Sequence, residues 1–131
     1  MIIPKCLNYF LWLIYKMFQD KVYLTKSPNK SKKWRVVVPI SLTDQLKIDF
    51  GSSTNKDFTI YNKEGNKMAN VYKMAYLARH KINEDWTNEE SAGFWSRWML
   101  WNKPTIEESI DHIQNKFGIT VVIGKPKKSS L

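Results

Sequence analysis

The chain has 131 residues, 43% hydrophobic and 25% charged. That is one domain able to bury a core, and it excludes disorder along the whole chain. Lys and Arg number 21 against 12 Asp and Glu, a net charge of +9, so anionic surfaces are the natural counterparts. One cysteine, Cys6, excludes an internal disulfide framework and a cysteine-based zinc site.

Residues 1–20 form an apolar N-terminal segment, 21–123 a single α+β domain and 124–131 a basic tail. Ten uncharged residues, Cys6 to Tyr15, separate Lys5 from Lys16. As a helix they reach about 15 Å, half a hydrocarbon core. The bulky Tyr15, Met17 and Phe18 offer no small-residue cleavage site for a secretory signal. The segment therefore reads as a helix seated on a membrane surface or on a partner. Its anchor residues are Leu7, Phe10, Leu11, Trp12, Ile14 and Tyr15.

Residues 21–25 and 33–40 are rich in β-branched and aromatic types, with Ser27-Pro28-Asn29-Lys30 between them as turn chemistry. They predict a hairpin. Residues 46–50 and 57–61 both alternate apolar and polar types, which predicts a second hairpin across Gly51-Ser52-Ser53. Together they give a small antiparallel sheet, packed by about three helices. From Lys67 the period changes: Met68, Val71, Tyr72, Met74, Ala75, Leu77 and Ala78 suit a helix to about His80. A second helix is expected from Glu89 to about Trp101, ending before Pro104. Thr105-Ile106-Glu107-Glu108 is a capping box for a third. Its apolar stripe is Ile106, Ile110, Ile113 and Phe117, and Gly118 is its C-cap. Residues 119–123 are a last strand.

Six bases and no acid fall within residues 21–35, and three more lie in the tail. Lys26, Lys30, Lys32, Lys33 and Arg35, beside Trp34, could grip a polyanion, as could Lys125, Lys127 and Lys128; the plainer alternative is a solvated strand edge or a protein-facing surface. Trp86, Phe94, Trp95, Trp98 and Trp101 make a block that must be buried, in this core or under a partner. Arg79-His80-Lys81 beside Glu84-Asp85 reads as a helix C-terminus carrying cations that suit its dipole. His112 is expected on plain surface. There is no phosphate-binding glycine loop, His-Glu-x-x-His or nucleophile elbow. No catalytic residue, metal or cofactor is expected, and the chain reads as a non-enzyme.

The spans Tyr76-Leu-Ala-Arg-His80, Glu84-Asp-Trp-Thr87 and Ala92-Gly-Phe-Trp-Ser-Arg-Trp-Met-Leu-Trp-Asn-Lys-Pro-Thr-Ile-Glu-Glu-Ser109 carry a resemblance. So do Ile48-Asp-Phe-Gly51, Asp57-Phe-Thr-Ile60 and Phe117-Gly-Ile119. Over about residues 21–123 the chain resembles a family of small, basic, uncharacterised proteins of large double-stranded DNA viruses of algae and protists, of the chlorella-virus and mimivirus kind. Residues 1–20 look like an addition to the shared pattern. The resemblance supplies no catalytic residues. It implies a virion component on the inner side of the capsid shell, met in the host cell during assembly. The expected function is that of a minor capsid protein bridging capsomers, or capsid to inner membrane. Its partners would then be the major capsid protein or other minor proteins, and the inner viral membrane. The alternative is a protein that binds nucleic acid through the basic hairpin and accompanies the viral genome.

Overall fold

The computed structural model describes residues 8–11, 21–41 and 43–126. The fold is α+β. Strands β1 (Lys21–Lys26) and β2 (Lys32–Pro39) form the expected antiparallel hairpin, with Tyr23 opposite Val37 and Lys26 opposite Trp34. Strand β3 (Gln45–Ser52) pairs antiparallel with the other edge of β2, placing Asp49 opposite Arg35. Side chains two apart share a strand face. Val22 and Leu24, Val36 and Val38, and Ile48 and Phe50 therefore line one side of the sheet, and all join one buried cluster.

The second hairpin does not form. Residues Phe58–Lys63 are helix α1. Five alternating residues are too few to separate strand from helix. The Asp57 side chain decides it by accepting from the Thr59 and Ile60 backbone amides, as an N-cap does. With residues 57–61 lost to the sheet, the fourth strand is β4 (Thr120–Ile123), which adds to β1 in parallel. The sheet is therefore mixed, in the order β3-β2-β1-β4, rather than antiparallel throughout. A parallel neighbour needs a long crossover, and the helices between β3 and β4 supply it.

Helix α2 (Ala69–His80) lies where the period placed it, but its apolar stripe does not face the core. Ala69 and Tyr76 are buried, while Met68, Val71 and Met74 stand in solvent. The next helix begins three residues later than expected, as α3 (Ala92–Trp95), with the Ser91 hydroxyl capping the Phe94 amide. It continues as a π-turn over Ser96–Leu100, closed by the Trp101 amide donating to the Ser96 carbonyl at 3.1 Å. The buried residues here are Phe94 and Trp95, then Met99 and Leu100, pairs five apart. A turn closed from i to i+5 brings such pairs to one side better than a 3.6-residue turn. All four join the strand side chains in the core. Helix α4 (Ile106–Phe117) begins at the Thr105 cap, whose hydroxyl accepts from the Glu108 amide at 3.2 Å, and ends at Gly118 with φ 71°. Ile113 is fully buried, with Ile106, Ile110 and Phe117 packed around it.

Gly51, in β3, has φ 79°, and a Cβ built there would lie 2.6 Å from Leu100 Cδ1. Gly118 has a similar φ but nothing within 4 Å of that position. Gly51→Ala should therefore combine backbone strain with overpacking and cost about 3 kcal/mol. Gly118→Ala should show the strain alone, about 1 kcal/mol. Urea midpoints of the two variants, at unchanged slope, check the difference; equal losses would contradict it.

Candidate polyanion and partner contacts

The β1–β2 turn is held by its own side chains. Ser27 Oγ accepts from the Asn29 amide, and Asn29 Oδ1 accepts from the Ser31 amide and hydroxyl. Ser27 Oγ also donates to Asp49 Oδ1 at 2.9 Å. Arg35 donates from Nε and Nη2 to the two Asp49 oxygens at 2.8 and 2.9 Å. This fork holds the Asp49 carboxyl below the usual carboxylate range, with the Ser27 bond assisting. Lys33 Nζ donates to Asp57 Oδ2 at 2.7 Å, and Asp57 is only 2% exposed. Trp34 packs against the core. Of the five hairpin cations, Lys33 and Arg35 are thus paired internally, and Lys26, Lys30 and Lys32 stand exposed.

Asp57 is the most heavily used polar group of the region. Its Oδ1 accepts from the Thr59 amide, the Thr59 hydroxyl and the Ile60 amide, and its Oδ2 takes the lysine. The pair stands in the wall between two clefts. One, of about 640 Å³, is lined by Tyr61, Tyr76, Arg79, His80, Glu84 and Trp101 besides the pair. The other, of about 780 Å³, lies between Lys26, Trp34, Ile60, Lys63, Ile106 and Glu107. In the first cleft Tyr76 is sandwiched, its ring 4.3 Å from Trp101 and 4.0 Å from His80. Burial, and then the Glu84 carboxylate, push the Tyr76 hydroxyl far above its ordinary range. His80 Nδ1 lies 3.1 Å from Glu84 Oε1. His80 and Glu84 in this cleft are therefore engaged with each other.

The aromatic block lies in and against the core. Phe94 and Trp95 are fully buried, Trp98 and Trp101 pack on the cluster, and Trp86 is half-buried. Their polar atoms have partners: Trp95 Nε1 donates to the Glu89 carbonyl at 2.7 Å and Trp98 Nε1 to the Trp86 carbonyl at 2.8 Å. The Arg97 guanidinium lies 4.2 Å from the Trp98 ring and 5.4 Å from the Trp86 ring, and donates to the Trp101 carbonyl at 2.9 Å. Lys73, on α2, donates to the Asn102 carbonyl at 2.6 Å. Two cations thus satisfy carbonyls at the end of the π-turn, where a helix dipole favours positive charge. Burial lowers both of their pKa values; Arg97 and then Lys103 lower that of Lys73 further.

His112 is not plain surface. Its Nδ1 lies 2.7 Å from Asn102 Nδ2, so the neutral ring accepts there and carries its proton on Nε2. Burial lowers its pKa first, then Lys103, Lys116, Arg97 and Lys73. Sequence inspection missed this cluster because its members come from α2, the π-turn and α4, far apart in the chain. It missed Asp57 because an N-cap followed by Phe-Thr-Ile also reads as a strand.

Of the anchor residues, Phe10 and Leu11 are described; they sit in a helical stretch, residues 8–11, and are exposed. Leu7, Trp12, Ile14 and Tyr15 lie outside the described residues, as do Lys127 and Lys128; Lys125 is exposed. Among the described residues, no helix is long and apolar enough to cross a membrane. Nor does any group of three His, Cys, Asp or Glu there suit a metal.

A family model described as a family of unknown function (DUF5754) matches residues 22–80. The match takes in the three antiparallel strands, α1 and α2, and stops before the tryptophan block and β4. No curated protein and no solved structure matches the chain.

Removing Asp57 deprives Lys33 of its partner and α1 of its cap. Asp57→Ala should cost about 3 kcal/mol or more. Asp57→Asn should cost less, because the amide oxygen still accepts from the Thr59 and Ile60 amides. Chemical denaturation of both variants decides; equal losses would show that the cap contributes nothing.

For His112 the folded pKa lies below the unfolded value near 6.5. Folding then favours the neutral ring. This contribution is complete above about pH 6.5 and is lost as pH falls through the unfolded pKa toward the folded one. His112→Gln should flatten stability between about pH 7 and 5 relative to the parent. Thermal midpoints across that range test it, and parallel curves would refute the assignment.

Proposed function

We propose that the chain is a non-enzymatic structural component of a large DNA virus particle, a minor capsid protein bridging capsomers or joining capsid to inner membrane. The viral setting comes from the resemblance carried by the tryptophan block and its neighbours. Support for a structural role comes from how the charge of the hairpin is divided. Lys33 and Arg35 are neutralised by Asp57 and Asp49, and Trp34 packs on the core, leaving three exposed lysines around a rigid turn. Such a turn meets an acidic protein patch well. A genome-binding grip would need a freely presented aromatic, whereas Trp34 is partly buried against the core in the wall of the 780 Å³ cleft.

Three phosphate contacts would give a log–log salt slope of about −2.7 on duplex DNA. We expect binding that is weak and blind to sequence, largely removed at about 0.15 M salt, with no preference for single strands. Lys26→Ala/Lys30→Ala/Lys32→Ala should weaken this binding and flatten its salt dependence without loss of stability. A salt titration of duplex and single-strand affinity reads this directly. Submicromolar affinity surviving at that salt, and lost in the triple variant, would make nucleic-acid binding the primary function. Detergent and salt fractionation of particles supplies the second arm: the chain should leave with the shell and not with the genome core.

A further inference from the structure

The outward face of α2 bears apolar residues exposed to solvent. Met68 is 47% exposed, Val71 54%, Met74 66% and Ile82, just past the helix, 83%; Ala75 and Ala78 are exposed as well. Met68, Val71, Ala75, Ala78 and Ile82 are spaced three, four, three and four, as in the seam of a coiled coil. Val71, Ala75 and Ala78 lie within the helix itself, about 18 Å long, and Met68 and Ile82 flank its two ends. Large residues stand at the ends of the seam and alanines at its centre, so it is concave in profile and suits another helix better than a flat lipid surface. Where a coiled coil carries its flanking charges are Lys67, Tyr72, Met74, Arg79 and Lys81. Three of the five are basic and none is acidic. The nearest carboxylates in sequence, Glu64 and Glu84, are paired with Lys56 and His80.

We propose that this face of α2 seats an amphipathic helix of a partner protein, with an apolar stripe flanked by Glu or Asp. Charge selects among the possible occupants. A second copy would set Lys67, Arg79 and Lys81 against the same residues. The chain's own apolar segment is bounded by Lys5 and Lys16, which repel the same flanks. An acid-flanked helix alone meets both the apolar seam and the basic borders, the arrangement by which flanking charges choose partners. Tyr72, Ala75 and Arg79 also line the 640 Å³ cleft, which leaves room beside the seam for one bulky side chain of the incoming helix. The inference uses α2 alone and stands whether or not the chain belongs to a virus particle.

The test uses the full chain and two synthetic two-heptad helical peptides with the same leucine stripe, one flanked by Glu and one by Lys. Titration should show the Glu-flanked peptide binding at least tenfold more tightly. Ala75→Glu/Ala78→Glu, at exposed positions, should weaken it at least tenfold with unchanged circular dichroism. Lys67→Glu/Arg79→Glu/Lys81→Glu should switch the preference to the Lys-flanked peptide; this variant leaves the apolar seam intact and tests the proposal even if the alanine variant fails to fold. Equal affinity for both peptides, absence of binding, or failure to switch would overturn it. So would self-association of the free chain abolished by Ala78→Glu, which marks a second copy as the occupant. Binding that emerges only in Phe10→Asp/Leu11→Asp would mark the N-terminal segment. Tighter binding to phosphatidylserine vesicles than to the Glu-flanked peptide would mark a lipid surface.

Discussion

An ammonium on the sheet and a carboxylate at a helix start organise the molecule. Lys33 Nζ lies 2.7 Å from Asp57 Oδ2, and the other carboxylate oxygen holds the first amides of α1. Because Asp57 begins a helix, the chain cannot return along β3, and β3 remains an edge strand. The sheet then grows at its other edge, where β4 joins β1 in parallel. Mixed topology thus follows from one cap. The buried carboxylate is tolerable because it has four donors; a charge of this kind without partners costs several kcal/mol.

The tryptophan block belongs to the same economy of polar groups. A helix that is apolar nearly all round has to be buried, and Phe94, Trp95, Met99 and Leu100 are. Four large side chains at a five-residue offset do not share one face of an α-helix, and the π-turn resolves the conflict. The wider turn leaves carbonyls at its end, which Arg97 and Lys73 satisfy. Part of the positive charge of this chain is therefore internal mortar. It packs against Trp98, Trp86 and Phe58 rings and is poorly placed to attract a distant polyanion.

This division of charge matters for function. Net charge alone suggests a protein that holds phosphates. Residue by residue, Lys33, Arg35, Lys73 and Arg97 serve the fold. The exposed cations include Lys26, Lys30 and Lys32 around the β1–β2 turn and Lys67, Arg79 and Lys81 along the borders of α2, with Lys21, Lys47, Lys56, Lys63, Lys103, Lys116 and Lys125 spread elsewhere. The turn and the borders of α2 both suit acidic protein partners, and the second adds apolar contact area that phosphates would not use.

Local rules were enough for several elements. The β1–β2 hairpin, α4 between Thr105 and Gly118, and the span of α2 all follow from turn residues, caps and period, which act within a few residues of one another. So does the α+β class. The Trp-rich stretch had to be buried on composition alone. Tertiary structure decided the rest. Residues 57–61 carry a pattern that fits strand and helix alike, and only Lys33, 24 residues away, together with the cap, selects the helix. Periodicity located an apolar stripe on α2 but not its direction, because direction depends on which face the neighbouring elements bury; here Ala69 and Tyr76 turn inward and the stripe turns out. Charge counts could not say which cations were already engaged. That depends on Asp49 and Asp57 arriving from other segments, a long-range pairing that no local spacing encodes.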